Sequence, residues 1–456
     1  MRIMLDQAVH DHRNKGNNAL LEVPLDRFRR HWPEASFEVL SISPHFCRVY
    51  IPGAIPISPY DLWETGRGLE GMHRYMPKTM WQLLFEMRER LQHNTGIVSS
   101  ARKLRQVLTS SRNQDAPQYD GERGEEVVGS VEPMATEQSP PEPSLPYSRI
   151  ADYDLYAPTG GGYMCDFDQR FLYSMFDRME AAVNYGVPVV MVGQGIGPIE
   201  DQNLRARARE VLPMLDYIMI REERVARPLL DLLNVPQHKA IMTGDDAIEL
   251  AYQARKSHLG TGIGLSLRVA AYTQVDDRHI NAIHPVILQA ARKYGAELIA
   301  APIDVNEADI RYIEAIMKGH NKRSSSWMRF ESTAHLINRI SRCRIMITGT
   351  FHGAVFALGQ GIPVIALAKS VEYTNKLAGL TTEFGEEGCQ IINLNEDNVA
   401  QQMGAAIDFA WSAAERLRPY LLQQAKRQID LGYIAYQKIY DLVEMRRQER
   451  HRVSIN

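Results

Sequence analysis

The feature that most constrains this chain is the run from Ile345 to Leu367. The apolar triplet Ile345-Met346-Ile347 reads as a short buried strand, and Thr348-Gly349-Thr350-Phe351-His352-Gly353 turns the chain. Ala354 to Gln360 reads as a helix, Gly361 as its C′ stop, and Pro363 to Leu367 as the next buried strand. His352 then falls beside a helix N-terminus, just past the C-terminal end of a strand. Ligands bind at that place in an open α/β sheet, and a helix N-terminus favours anions. The imidazole is therefore a titratable group placed beside an anion site.

The same grammar recurs along the chain. Tyr153 to Pro158, Val187 to Val192, Tyr217 to Ile220 and Ala240 to Thr243 read as strands. Phe171 to Tyr185, Leu204 to Leu212 and Glu222 to Leu233 read as helices between and after them. Glycines and polar residues follow the strand ends, as in Thr159-Gly160-Gly161-Gly162, Gly193-Gln194-Gly195-Ile196-Gly197-Pro198 and Gly244-Asp245-Asp246. A cleft at one edge of a parallel sheet is built this way. Gly262 to Leu267, Glu297 to Ala301 and Arg344 to Ile347 are the strands of a second set. Its helices are Ile280 to Tyr294, Ile310 to Lys318 and Thr333 to Ser341.

A chain of 456 residues exceeds one ordinary core. The expected organisation is α/β, with two Rossmann-like domains facing a cleft. Residues 1–255 form the first and 256–394 the second, with the hinge at Lys256 to Thr261. Residues 395–456 form a C-terminal helical region, broken near Pro419 and Gly432, whose charged end from Glu444 frays.

The opening of the chain is less regular. Ile3 to Val9 is a weak strand candidate. Ala19 to Phe28 reads as a helix that Pro24 limits or begins, and Ser36 to Ile42 as a strand. Pro52 to Pro59 carries too many prolines for regular structure. Met80 to Leu91 reads as a helix, and Ser99 to Leu108 as a short basic one. Residues 110–148 are polar, charged and rich in Pro, Ser and Glu, and are read as a disordered insert acting as a spacer.

Net charge is −3, so no whole-protein field points to nucleic acid. The four cysteines are scattered without CxxC spacing, which argues against a zinc or disulfide framework and fits a reducing cytosol. No set of His, Asp and Glu has metal-ligand spacing, and no G-x-S-x-G elbow occurs. The first residues lack an apolar signal core, and no run of eighteen apolar residues exists. The expected location is the cytoplasm, with contact at the inner face of the membrane left open.

Several residues are candidates for chemistry. Gly160, Gly161 and Gly162 allow close backbone approach to a ligand; the plainer reading is a tight βα turn. Gly193, Gly195 and Gly197 are more glycines than a simple turn needs, and Gln194 has donors for a sugar hydroxyl or phosphate; the plainer reading is a twisted connection that clears the neighbouring domain. Arg221 is a ligand clamp or the partner of Glu222, which otherwise favours the first turn of its helix. Arg268 ends a strand on the His352 side, and its fork suits a carboxylate or phosphate; alternatively it snorkels over the sheet edge. Lys369, Ser370, Glu372 and Lys376 offer donors and acceptors on a second loop of the same rim. A helix N-terminus depresses the pKa of His352, whereas a bound anion raises it.

Taken in order, these motifs resemble the polysaccharide pyruvyl transferase family. The resemblance rests on Gly160-Gly161-Gly162, Gly193 to Pro198, Arg221-Glu222, the strand ending at Arg268, and Phe351-His352-Gly353-Ala354-Val355 with Gly361-Ile362-Pro363. It covers about residues 150–390 and extends through Lys369 to Leu380, with a weaker match from Asn14 to Leu21 that includes Asn17. It implies a GT-B-like fold and transfer of pyruvate from phosphoenolpyruvate to a sugar of an extracellular polysaccharide or its precursor. The product is a cyclic ketal bridging two hydroxyls, with phosphate released. No cofactor or metal is implied; phosphoenolpyruvate is a co-substrate. The acceptor is a glycan, a lipid-linked sugar or a sugar nucleotide, and peripheral contact with membrane-bound glycan assembly machinery is compatible with it. His352 is expected as the acid or phosphate-stabilising group and Arg268 as the anion clamp. Binding positions are expected at Asn17, Gly160, Gly161, Gly162, Gln194, Gly195, Gly197, Arg221, Thr350, Phe351, Gly353, Lys369, Ser370 and Glu372. Many members carry an arginine two residues before the histidine, where this chain has Thr350. The competing readings are a GT-B-type sugar-nucleotide glycosyltransferase and a non-catalytic ligand-binding or assembly protein.

Overall fold

The apolar runs become buried strands of parallel sheets. The structure, a computed structural model, describes residues 1–7, 12–62, 147–268, 273–304, 306–318 and 331–455. The helices expected at Met80 to Leu91 and Ser99 to Leu108 lie outside these residues, as do residues 110–146 of the insert expected at 110–148.

The first half begins with β1 (Arg2–Asp6), α1 (Lys15–His31), β2 (Ser36–Leu40), α2 (Pro44–Tyr50), β3 (Ile55–Ile57), β4 (Leu155–Pro158) and β5 (Gly161–Met164). It continues with α3 (Gln169–Asn184), β6 (Val190–Ile196), α4 (Gln202–Val211), β7 (Tyr217–Ile220), α5 (Ala226–Leu232), β8 (Ala240–Met242) and α6 (Ile248–Gln253). Its strands pair in the orders β3-β2-β1-β4 and β5-β6-β7-β8. A parallel bridge from Tyr156 to Val189 joins the two sets.

The second half comprises β9 (Gly262–Ser266), α7 (Asp277–Tyr294), β10 (Leu298–Ala300), α8 (Glu307–Met317), α9 (Thr333–Ile340) and β11 (Cys343–Thr348). It ends with α10 (Phe351–Leu358), β12 (Val364–Ala368), α11 (Val371–Phe384) and β13 (Cys389–Asn393). These strands form one parallel sheet in the order β10-β9-β11-β12-β13. β11, the strand that delivers His352, is central, and Met346 to Thr348 pair with both Gly264 to Ser266 and Val364 to Ala366.

One weak expectation, a strand from Ile3, is borne out, and three others are corrected. β1 is a central strand, with Ile3, Met4 and Leu5 fully buried, although its sequence signal is short. Pro24 sits inside α1 rather than ending it, because Leu20, Leu21, Val23, Leu25 and Phe28 keep a buried face across it. Ile55 to Ile57 forms a strand despite Pro56, since β3 is an edge that needs fewer ladder donors. The Gly193-to-Ile196 segment continues β6 instead of turning, and Gly161-Gly162 begins β5.

The largest correction is at the C-terminus. Val399–Ile455 is one helix of 57 residues, here α12, unbroken at Pro419 or Gly432 and helical through the charged end. Proline in a helix interior costs about 3 kcal/mol. Leu417, Leu421, Ala425 and Ile429 bury at helical spacing on either side of it, each large side chain contributing roughly 1.5–3 kcal/mol. Further along, Ala435, Tyr436, Ile439 and Val443 pack with Ile3, Leu5, Phe28 and Trp32. Val399 to Ala410 pack under the second sheet with Ile283 and Ile287 of α7. The helix thus holds both halves. At Gly432 a Cβ would lie 2.7 Å from Nη1 of Arg27, whose guanidinium bonds Asp246 at 2.7 Å and Glu249 at 2.8 Å. No helix among the described residues is long and apolar enough to cross a membrane.

Candidate active site

β11 and α10 place His352 by a dense local network. Thr350 is the N-cap of α10, and its hydroxyl accepts the Gly353 N–H at 3.1 Å. The same oxygen lies 2.8 Å from Ser266 Oγ and 2.9 Å from Thr348 Oγ1. A Cβ on Gly353 would fall 2.4 Å from Thr350 Oγ1, so glycine is what admits this cap. The Phe351 N–H donates to the Tyr373 hydroxyl at 2.9 Å, and Ser370 caps α11 by accepting the Tyr373 N–H at 3.2 Å. Thr350, Gly353 and Ser370 therefore build the turn, and two of the donors at the start of α10 are used internally.

His352 is buried, with its ring against the first turn of α1. A Cβ on Gly16 would lie 2.1 Å from the ring. Nε2 has no hydrogen-bond partner among the described residues and faces Asp245 Oδ2 at 3.8 Å. Burial, with the positive charge of Arg221 adding to it, lowers the imidazole pKa to about 3. His352 is thus neutral at ordinary pH unless an anion binds beside it.

Arg221 is the second centre of the site. Its guanidinium stacks on Phe351 at 4.0 Å and its Nη1 reaches Asp245 Oδ2 at 3.3 Å. A Cβ on Gly195 would lie 2.6 Å from Nε, so the glycine of β6 makes the slot for the guanidinium. Its partner is Asp245, not Glu222, which caps the start of α5 by accepting the Val225 and Ala226 N–H groups. Gly162 lies across the slot, where a Cβ would be 3.2 Å from Arg221 Nη2 and 3.7 Å from Lys376 Nζ. Gly195, Arg221, Phe351, Asn375 and Lys376 line one pocket together with Glu222, whose carboxylate is taken up by the Val225 and Ala226 N–H groups. A guanidinium, an ammonium and glycine backbone around one opening can hold a small multivalent anion.

The remaining expected positions serve other local roles. Gln194 is buried and donates to the carbonyls of Thr159 at 2.8 Å and Pro158 at 3.1 Å, joining β6 to the β4–β5 turn. Gly160 packs against the Gly193 carbonyl, where a Cβ would approach to 2.5 Å, while one on Gly161 would meet the Tyr163 ring. Gly197 has φ +89° and packs on Leu229. Asn17 donates its N–H to Asn14 Oδ1 at 3.2 Å in the cap of α1. The Lys369 carbonyl accepts from Asn395 at 2.9 Å. Glu372 lies in the first turn of α11, and its side chain is outside the described set. Arg268 is engaged by two carboxylates, Asp304 at 2.8 Å and Asp309 at 3.1 Å, rather than snorkelling over the sheet edge.

Two residues of the site carried no role in the sequence: Gly16 and Asp245. Asp245 had a signal, since it follows a strand end in Gly244-Asp245-Asp246. Gly16 had only its polar, glycine-containing loop. Among the described residues, no group of three or more His, Cys, Asp or Glu is placed to hold a metal ion.

Solved structures of other proteins share the fold along nearly the whole chain. S. aureus MnaA in complex with UDP is 13% identical, covers 97% of this chain and 97% of its own, and superposes with a TM-score of 0.52. The UDP-GlcNAc 2-epimerase of Neisseria meningitidis bound to UDP-GlcNAc is 13% identical over 97% of this chain and 100% of its own, with a TM-score of 0.48. A glycosyltransferase of Rickettsia africae is 10% identical over 97% and 98%, with a TM-score of 0.47. The fold is GT-B-like. No curated protein matches the sequence. The family model for polysaccharide pyruvyl transferase matches residues 14–370, from the cap of α1 to the cap of α11, and the chain belongs to the polysaccharide pyruvyl transferase family.

Proposed function

We propose that this enzyme transfers the pyruvyl group of phosphoenolpyruvate to two hydroxyls of one sugar in an extracellular polysaccharide or its precursor. The observation that supports this reading best is the pocket shared by Arg221 and Lys376 beside a buried, neutral His352. Phosphoenolpyruvate is small and multiply anionic, and two cations across Gly162 match its phosphate and carboxylate. Arg268 is a less suitable clamp, because Asp304 and Asp309 already balance its charge.

In this reading the donor's negative charge raises the proton affinity of His352. His352 then gives a proton to the methylene carbon of the donor while a sugar hydroxyl adds to the adjacent carbon. The proton of that hydroxyl returns to the imidazole. The second hydroxyl displaces phosphate from the same carbon, and its proton leaves with the phosphate. The products are one cyclic ketal and inorganic phosphate. The acceptor is carried by a nucleotide or a lipid and meets the enzyme on the cytoplasmic side of the membrane.

The test is incubation of the purified chain with phosphoenolpyruvate and a panel of sugar nucleotides, lipid-linked sugars and glycans. Phosphate release and acceptor mass are followed together. Phosphate release coupled to an acid-labile pyruvyl adduct is the expected result. Release of nucleoside diphosphate without phosphoenolpyruvate would instead establish a glycosyltransferase. Tight donor binding without turnover on any acceptor would establish a ligand-binding protein.

A further inference from the structure

We infer that Asp245 is a positioning residue exchanged between Arg221 and His352: it serves Arg221 until an anion draws the guanidinium away, and then serves His352. The inference rests on the donor reading above for its anion, but not for its geometry. Asp245 is buried, and one carboxylate oxygen is fixed by the Ala247 N–H at 3.0 Å. The other stands between two nitrogens, 3.3 Å from Arg221 Nη1 and 3.8 Å from His352 Nε2. Both distances exceed those of a close charge-assisted bond, so neither partner holds this oxygen fully. His352 Nε2 is itself buried and unpartnered among the described residues.

The surroundings leave Asp245 as the anionic group facing that nitrogen. α1 presents Gly16 to the ring, and α10 presents the Phe351 and Phe356 rings. The segment after β7 presents the cation Arg221 and the segment after β8 presents Asp245. The neighbouring carboxylate is committed elsewhere: Asp246 is held by Arg27 at 2.7 Å and by the Tyr436 hydroxyl at 3.2 Å. The loop is thereby anchored to α1 and α12, and the partner free to move is the Arg221 side chain in its slot between Gly195 and Phe351. An anion at the pocket pulls this guanidinium outward and cancels its charge. Both changes favour imidazolium at His352, so the acid is armed when the donor arrives.

The test uses the full chain with ring-labelled histidines, His352 being assigned through His352→Gln. Inorganic phosphate, and separately phosphoenolpyruvate without acceptor, are titrated at several pH values by nitrogen-15 NMR. Each anion should raise the His352 pKa by more than about one unit, and Asp245→Asn should abolish most of that rise. In turnover, Asp245→Asn should move the alkaline limb of kcat down by about one pH unit without raising the donor KM, since Arg221 no longer has an ion pair to break. A merely structural role would lower kcat equally at every pH, and that result would overturn the inference. So would a wild-type His352 that ignores both anions while calorimetry shows that they bind. If Asp245→Asn fails to fold, the wild-type titration decides. A response to phosphate without binding of phosphoenolpyruvate would keep the exchange and remove the donor assignment.

Discussion

A Cβ on Gly16 would lie 2.1 Å from both Cγ and Nδ1 of His352, so the first turn of α1 and the imidazole occupy one contact layer. This contact joins residues from opposite ends of the chain. Gly16→Ala should displace the ring from Asp245. Turnover should fall on the order of 100-fold, the scale of a 1 Å misplacement. The overlap falls on buried ring atoms close to the backbone, so stability should fall as well, by about 1–3 kcal/mol, the scale of an overpacked core. Steady-state kinetics beside a melting curve check the pair of outcomes.

Arg221→Ala should weaken donor binding and also leave Asp245 buried without its cation. The loss of stability should be about 3–5 kcal/mol. Adding Asp245→Asn should restore part of it, since the orphaned charge is gone. Urea unfolding of the two single variants and the double variant measures the coupling.

Gly162→Ala puts a methyl group 3.2 Å from Arg221 Nη2 and 3.7 Å from Lys376 Nζ. It should raise the donor KM roughly tenfold, equivalent to about 1.4 kcal/mol of lost binding. Unfolding should be nearly unchanged, because the methyl group meets only the ends of two long side chains.

His352 makes stability depend on pH in a defined direction. Its folded pKa, about 3, lies below the ordinary value of 6.5. The unfolded chain therefore binds more protons between these values, and this contribution is present above about pH 6.5 and lost as pH falls toward 3. Glu22 has the opposite sign: burial raises its pKa to about 7, so its contribution is full below its ordinary value and lost as pH rises through 7. Denaturant titrations from pH 4 to 8 should show a flatter acid limb for His352→Gln and a flatter alkaline limb for Glu22→Gln.

Arg27→Met removes the cation that lies between Asp246 and Glu249. A loss of about 3–5 kcal/mol is expected. Because Asp246 adjoins Asp245, turnover should fall as well. Circular dichroism and kinetics at one temperature, with Lys at the same position as the conservative comparison, separate the two effects.

The strand–turn–helix around His352, the parallel strands that flank it and the α/β plan are legible in short apolar runs punctuated by glycine. Legibility fails where burial overrides a local breaker. Pro24, Pro56, Pro419 and Gly432 all lie inside regular elements, held there by faces that pack on distant strands and helices. The candidate site is legible in its glycines, His352 and Arg221. Their partners are not, and Thr350 is a helix cap wired to Ser266 and Thr348.

The sequence alone determined the strands at Leu155–Pro158, Tyr217–Ile220, Gly262–Ser266 and Val364–Ala368 and the place of the imidazole at the end of β11, because periodicity and turn chemistry act over a few residues. Tertiary structure alone decided which charges meet. Arg221 pairs with Asp245 and stacks on Phe351, Arg268 is claimed by Asp304 and Asp309, and Gly16 closes on His352 from the other end of the chain. Charge pairing depends on separation in space and on desolvation, and both are set by how the sheets and the long helix α12 pack rather than by spacing along the chain.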